Sequence, residues 1–381
     1  MSGKLKPAVM AIIGFALVLA RAIGWVGTRS VAAQAPGQAS EQFYKNIKVL
    51  NGLPADLMVP SMQYMEIALG VHCVYCHDDD NTKRELDTKP QKATARRMIQ
   101  MVAEVNKNTF NGRNVVTCFT CHRGHTTPAG VLPYNDEEGE LAIPASAAAS
   151  PSVDSIFTRN VTVMGGDNLA KVTSRYAKGT TAALGHIDQV HPERAVAVVT
   201  PIEIYSKGVD KRQVITHNPA GDALNSYNAA GGWIKAGAAA ARDMRPDELD
   251  IARLENAVIA PANFKTIVQN PRVVGEEKVN GHSTWVVEGR MQTLPKVTLN
   301  FDKDSGALLS LAYQQPSYFC CHQFRIDYSD YTVINGVRMP LKWTVNGPRE
   351  NIVVVTLDPV TVNSAVDDSR FAKPAPASAA R

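Results

Sequence analysis

Two Cys-x-x-Cys-His pentapeptides, Cys73-Val74-Tyr75-Cys76-His77 and Cys118-Phe119-Thr120-Cys121-His122, constrain this chain more than any other feature. The spacing is the attachment signature of c-type haem, in which two thiols add across the porphyrin vinyl groups and the following imidazole stands under the iron as proximal ligand. One match alone is also compatible with half of a Cys-x-x-Cys zinc or redox site. Two matches, each completed by His and both on a chain with an export signal, point to haem. The expected cofactors are two covalently bound haem c, attached through Cys73, Cys76, Cys118 and Cys121, with His77 and His122 as iron ligands.

Thioether attachment takes place outside the cytoplasm in bacteria, and the N-terminus supplies the required signal. Lys4 and Lys6 precede an apolar stretch from Ala8 to about Val26, and Ala33-Gln34-Ala35 is a small-x-small cleavage site. Residues 1–35 are therefore expected to be a removed signal peptide and the mature protein to be periplasmic. An uncleaved membrane anchor is the competing reading; Arg21 within the apolar stretch disfavours it. The formal charge of +4 includes Lys4, Lys6, Arg21 and Arg29, with no acid before residue 36, so the mature chain carries +4 − 4 = 0. A balanced chain excludes the clustered basic surface that nucleic-acid binding needs. Its 381 − 35 = 346 residues are enough for two separate cores.

Composition divides the mature chain. Residues 36–134 are Met-rich, contain both motifs and have helical spacing, giving a mainly-α diheme cytochrome domain. Pro-, Glu- and Ala-rich sequence over 135–153 reads as a linker. Residues 154–373 alternate in a β pattern, with runs such as Ala195–Tyr205, His282–Gly289, Lys296–Phe301 and Asn351–Leu357 bounded by Asn280-Gly281, Asp304-Ser305-Gly306 and Asn335-Gly336. An antiparallel, half-barrel-like α+β domain is expected there, with a helix over Pro246–Ala257 packed on the sheet. Pro and Ala dominate the tail, 374–381.

A haem needs cover on its distal side, and in electron carriers a Met thioether commonly supplies the sixth ligand. Met58, Met62, Met65 and Leu69 share one face of a helix predicted from Asp56 to Gly70. Met98 and Met101 lie one turn apart on a second predicted helix, Lys92–Asn106, and spacing does not choose between them. For any one of these residues core packing is the ordinary role. Two helix-then-attachment units make an internal repeat.

Four stretches carry a family resemblance: Phe43-Tyr44-Lys45-Asn46-Ile47-Lys48-Val49-Leu50, Leu69-Gly70-Val71 before the first motif, Ala95-Arg96-Arg97-Met98 with Met101, and Val116-Thr117 running through the second motif to Arg123-Gly124. Over about residues 41–125 the chain resembles the cytochrome c subunit of bacterial photosynthetic reaction centres. That subunit carries four haems in two pairs and donates electrons to the oxidised special pair. The resemblance implies Met62 and Met98 as distal ligands. Only one pair of attachment sites is present, and the family's His ligand after the second-type helix has no counterpart around Phe110–Asn114. Two haems are thus implied, and docking to a reaction centre is not.

Gly165-Gly166-Asp167-x-Leu169, a Lys171-Val172 strand, Pro201–Tyr205, Gly232-Trp233, Phe301–Gly306 and Val337–Trp343 make the remainder similar to the periplasmic lipoprotein-carrier and lipoprotein-sensor (LolA-like) superfamily. That similarity implies a concave face suited to an acyl chain or a partner segment. No charged dyad, nucleophile elbow or phosphate loop marks an enzyme, so no catalytic residues are expected.

His72 and His125 flank the motifs and are discounted as ligands; Arg123 is either a propionate partner or a solvated side chain. Cys320-Cys321-His322 lacks the haem spacing and leaves a vicinal disulfide, free thiols or an intermolecular bond open; a metal site with His322 lacks other near ligands and is disfavoured. The leading function is periplasmic electron transfer between redox-protein donor and acceptor, with the second domain docking the module to a partner or to the membrane or envelope. A diheme peroxidase-type enzyme is one alternative, requiring an iron with an open distal position. A lipid or lipoprotein binder with a redox-sensing haem module is the other.

Overall fold

A computed structural model describes residues 38–128, 150–184, 198–317, 319, 321–347 and 352–375. The expected signal peptide and its cleavage site, the linker up to residue 149, the last six residues of the tail, and Cys320 lie outside the described residues. Among the described residues no helix is long and apolar enough to cross a membrane. Packing separates two units: Gly37–Ser152 with Ser317–Cys321 form one, and Val153–Pro316 with His322–Arg381 make up most of the other.

The first unit is helical. It contains α1 (Ser40–Phe43), α2 (Ala55–Leu69), α3 (Cys73–Cys76), α4 (Pro90–Thr109) and α5 (Cys118–His122). Both long helices fall where the Met spacing predicts them, α2 shifted by one residue and α4 extended at both ends. Pro54 caps the start of α2, and Pro90 occupies the first turn of α4, where a missing amide costs nothing. Pro60 lies inside α2 and removes one helical donor. At the next residue, the Ser61 hydroxyl donates to the Leu57 carbonyl at 2.7 Å. Leu50, Leu53, Met58, Ile99 and Phe319 form the buried core of this unit, with Phe319 stacked on Tyr64 at 5.9 Å. Phe319 belongs to a stretch that the sequence assigned wholly to the β-rich part.

Gly70 ends α2 in the left-handed conformation, with φ of +64°. Its backbone lies against the residue following the second motif: Gly124 donates its amide to the Ala68 carbonyl at 2.9 Å. A Cβ at position 70 would come within 2.0 Å of the Gly124 carbonyl oxygen. The end of α2 is thereby tied to the second attachment turn.

The second unit is built on a 14-stranded antiparallel sheet. Its strands are β1 (Ser174–Leu184), β2 (Val198–Lys207), β3 (Lys211–Thr216), β4 (Ala223–Asn228), β5 (Gly231–Ala236), β6 (Arg242–Asp243), β7 (Gln269–Val279), β8 (His282–Arg290), β9 (Val297–Asp302), β10 (Leu308–Pro316), β11 (Cys321–Ile334), β12 (Val337–Asn346), β13 (Ile352–Leu357) and β14 (Thr361–Val362). Their order is β6-β5-β4-β3-β2-β1-β13-β12-β11-β10-β9-β8-β7, with β14 also on β1. Two meanders are thus joined where β1 meets β13, so the last long strand returns to the first. The turns at Asn280-Gly281 and Asn335-Gly336 form as their left-handed Asn and Gly backbones allow.

Three helices accompany the sheet: α6 (Val153–Met164), α7 (Pro246–Asn256) and α8 (Phe264–Ile267). Phe157 of α6 packs on Phe264 of α8 and on Phe301 of β9, with ring centres 6.0 and 5.7 Å apart. Helix α7 begins at Pro246 as expected, and Glu248 locks its start by accepting from the Arg245 amide and from both terminal nitrogens of Arg242, all at 2.8 Å. Two expectations need correction. Val153–Met164 is a helix, although its spacing was not recognised; Ile156, Phe157, Asn160 and Met164 are its buried face. Lys171–Val172 is not a strand: Gly166–Lys171 is a 3-10 turn, and β1 begins only at Ser174. The Asn363 side chain holds that entry by accepting from the Thr173 amide at 2.8 Å.

The Gly70–Gly124 approach gives a contrast of two alanine variants. Gly124 also has positive φ, but nothing lies within 4 Å of a Cβ there. Gly124→Ala should therefore cost only backbone strain, about 1 kcal/mol. Gly70→Ala adds a steric clash with backbone and should cost about 3 kcal/mol. Thermal unfolding of the two exported variants measures this; equal losses would mean that the approach is not tight.

Candidate functional site

Each motif sits on a single helical turn that places two thiols and an imidazole together. In the first, α3 carries Cys73 and Cys76, and the His77 amide closes the turn on the Cys73 carbonyl at 2.9 Å. The Cys73 thiol donates to Glu66 Oε1 at 2.9 Å. Burial, reinforced by the Glu66 charge, pushes both thiols above their usual range.

His77 Nδ1 lies 2.8 Å from the Arg84 carbonyl oxygen. A carbonyl only accepts, so Nδ1 carries the proton and Nε2 keeps its lone pair. Burial also pushes the imidazolium down, which favours the neutral ring. The segment that provides this carbonyl is itself clamped. The Lys92 ammonium donates to the carbonyls of Arg84, Glu85 and Leu86 at 3.0, 2.9 and 2.8 Å, and pairs with Asp87 at 3.2 Å. Asp87 in turn binds Arg96 at 2.9 Å, Lys48 at 2.8 Å and the Asn46 amide at 2.9 Å.

The second motif repeats the device with different parts. Thr117 caps α5, with Thr120 completing a capping box, and the Tyr64 hydroxyl of α2 donates to Thr117 Oγ1 at 2.8 Å. His122 Nδ1 lies 2.9 Å from the His125 carbonyl oxygen, so Nε2 is again the free acceptor. Arg123 and Gly124, both left-handed, fold the chain back to bring that carbonyl round. Asn106, buried at the end of α4, holds the approach to the motif. Its side chain donates to the Val116 carbonyl at 2.7 Å and accepts from the Val115 and Val116 amides at 3.1 and 2.9 Å.

The donor set fits covalent haem: paired thiols on one turn, followed by an imidazole whose Nδ1 is engaged by a carbonyl, which leaves Nε2 for a ligand bond. Among the described residues no group of three His, Cys, Asp or Glu could hold a bare metal ion. Helix α2 packs on α5, and α4 packs on α3 and, less extensively, on α5. Met62 is half-buried against the helical core. On α4, Ile99, Val102 and Asn106 face inward, whereas Met98 and Met101 are 37% and 45% exposed. His125 contributes its carbonyl to His122, and its ring and the Arg123 side chain are exposed.

Residues 22–169 match the family described as Photosynthetic reaction centre cytochrome C subunit. The match includes the helical unit, which is similar to that family. A cytochrome c-554 of Chloroflexus aurantiacus is 40% identical over 109 residues, covering 26% of this chain and 26% of the relative. A photosynthetic reaction center cytochrome c subunit of Roseobacter denitrificans is 34% identical over 102 residues, covering 25% of this chain and 28% of that one. The chain thus spans about a quarter of the length of the curated relatives it matches. Among solved structures, a DUF1329 family protein from Desulfovibrio piger is similar at 17% identity and a TM-score of 0.42, covering 58% of this chain and 98% of that one. A LolA superfamily protein from Nitrosomonas europaea gives 15% identity and a TM-score of 0.43, with 59% and 99% covered.

Sequence reasoning picked out both Cys-x-x-Cys-His runs and missed what holds their turns. Lys92 and Asp87 read as surface charges because their partners are backbone carbonyls and residues up to 41 positions away. Asn106 did leave a signal: it continues the inward stripe of Ile99 and Val102 one turn on, and a polar residue on such a stripe has a specific partner.

Arg96 first, then Lys48, holds the Asp87 carboxyl well below the usual carboxylate range. Its folded value is lower than the unfolded value of about 3.9, so its contribution to stability is full above about pH 5 and is lost as pH falls toward the folded value. Asp87 is 36% exposed, so Asp87→Asn should cost only on the order of 1 kcal/mol at pH 7. That difference should shrink steadily below about pH 4. Denaturant unfolding of both proteins at several pH values checks it; a gap that stays constant with pH would rule out the charge as its cause.

Proposed function

We propose that this chain is an exported, periplasmic electron carrier whose helical unit holds two covalent haem c groups. Cys73 and Cys76 attach the first, and Cys118 and Cys121 the second. His77 and His122 are the proximal ligands, and Met62 and Met98 are the distal ones. The observation that carries this reading is the repeated Nδ1-to-carbonyl bond, which turns Nε2 of each motif histidine into the free ligand. Bound there, haem c supplies a reversible one-electron centre.

The residues of the chain do the rest. Arg84 and His125 fix the tautomer and ring direction of the two histidines, and such partners raise ligand basicity. Lys92 holds the Arg84 carbonyl in place. A thioether at the distal position favours ferrous iron and raises the potential, as a carrier between a redox donor and an acceptor requires. Binding both axial positions with side chains leaves no open site for peroxide, which favours a carrier over the peroxidase reading. The sheet unit, on this reading, holds an acyl chain or a partner segment and associates the module with the envelope.

Mass spectrometry of the exported protein tests the haem count: two haem additions are expected after loss of the signal. A Cys73→Ala, Cys76→Ala double variant should carry one, and retention of two would sink the assignment.

Distal ligation is read independently from the far-red thioether-to-iron charge-transfer band of the oxidised protein. Met62→Ala and Met98→Ala should each weaken the band by about half, with one of the two haem potentials falling. If Met98→Ala is silent and Met101→Ala weakens the band, the second ligand is Met101.

A further inference from the structure

Within the sheet unit a pocket lies between the strands and the end of α7, with about 620 Å³ of empty space counting its open mouth. Most of its wall is apolar, including Ile204, Tyr328, Met339 and Trp343. Five polar residues, Arg175, Ser206, Arg212, Glu255 and Asn256, interrupt that wall. Arg175 is 6% exposed, Ser206 1% and Asn256 2%. Arg175 Nε, the Ser206 hydroxyl and Asn256 Oδ1 have no hydrogen-bond partner among the described residues.

Strand register explains how they come together. Arg175 of β1 is paired with Ser206 of β2, which is paired with Arg212 of β3, so the three side chains stand in a row on one face. Arg212 is neutralised by Glu255 at 3.3 Å, both side chains being 10% exposed. Arg175 has no such relief. Its guanidinium donates only to the Ile259 carbonyl, at 3.3 Å, and no carboxylate among the described residues pairs with it. The charged residues lining the pocket are therefore two arginines and one glutamate, +2 − 1 = +1.

An uncompensated cation inside an apolar wall is costly unless something negative meets it. A water would satisfy one donor but leave the charge. We infer that this pocket binds a monoanionic amphiphile, its carboxylate-like head on Arg175 and Ser206 and its apolar tail along Tyr328, Met339 and Trp343. Arg175 Nε and the Ser206 hydroxyl supply two donors side by side, which suits the two oxygens of such a head. Asn256 Oδ1 is an acceptor and disfavours a second negative charge. This inference rests on the reading of the sheet unit as a holder of an acyl chain and adds what recognises the head.

The test uses the full exported protein with three sixteen-carbon probes: a saturated monocarboxylic acid, its methyl ester and the matching primary alcohol. Binding is measured by displacement of a fluorescent chain of similar length. The acid should bind about tenfold or more tightly than the ester and the alcohol, the worth of one charge-assisted hydrogen bond or more. Arg175→Met should remove that advantage, bringing acid binding down to the level of the alcohol. Ser206→Ala should reduce acid binding by a smaller factor. If Arg175→Met fails to fold, Ser206→Ala and the three probes on the unaltered protein decide the matter. Equal binding of acid, ester and alcohol would overturn anion recognition while leaving the acyl-chain reading standing. Absence of binding by all three would overturn both.

Discussion

A single hydrogen bond, from Nδ1 of each motif histidine to a backbone carbonyl, governs the chemistry of the helical unit. The Cys-x-x-Cys-His spacing places an imidazole beside two thiols, but it does not say which ring nitrogen faces outward. A carbonyl at Nδ1 does, because it accepts from that nitrogen and leaves Nε2 with its lone pair. The two sites reach this condition by unlike routes. At His122 the carbonyl is local, delivered by left-handed Arg123 and Gly124 within the same turn. At His77 it is seven residues away and must be held by Lys92 of α4, which donates to three successive carbonyls. The first site therefore depends on the packing of a long helix, and the second mainly on its own turn.

The parts of this arrangement that were legible in the sequence are those with a local signature. Covalent spacing marked the attachment turns, and Met and aliphatic periodicity marked α2 and α4 to within a few residues. The supporting contacts had no such mark. Lys92 looks like any solvated lysine until its carbonyl partners are known, and Gly70 looks like an ordinary helix stop until Gly124 is found against it. Phe319 was unreadable for another reason, since it lies far along the chain from its partners in the core, 319 − 99 = 220 positions from Ile99 and 319 − 58 = 261 from Met58. Helix α6 is different: its period was present and the linker boundary fell within one residue of its start, but the β reading of 154–373 absorbed it.

In the sheet unit the alternation of β strands was easy to see, and the order was not. Hairpin turns such as Asn280-Gly281 predict neighbours, but the joining of β1 to β13 spans nearly the whole unit and has no turn to announce it. The same long pairing matters for the pocket. On β2, Ile202, Ile204 and Ser206 all point inward, so the pattern that buries two isoleucines also buries a serine. Period-two geometry thus carries Ser206 beside Arg175 and Arg212. Polar residues at core-facing positions destabilise a sheet unless they are paired, and Arg212 has its Glu255.

Helix α4 gives the helical unit one more physical argument. At about 100° per residue, Ile99, Val102 and Asn106 define one inward stripe, and all three are buried. Met98, Met101 and Val105 define a second stripe, about 100° round the helix from the first, and each is at least 36% exposed. A surface helix of a globular unit needs only one apolar stripe to fix it on its core. The second is therefore not required by the packing of the chain on itself. Phe119 and Val115, near the second motif, add further exposed apolar surface. Large flat apolar cover is what a porphyrin supplies, and a helix with two apolar faces at right angles can rest on its own unit with one and on such a group with the other. Its two thioethers lie on that second face, which is why the choice between Met98 and Met101 turns on helix rotation of less than one turn rather than on sequence spacing.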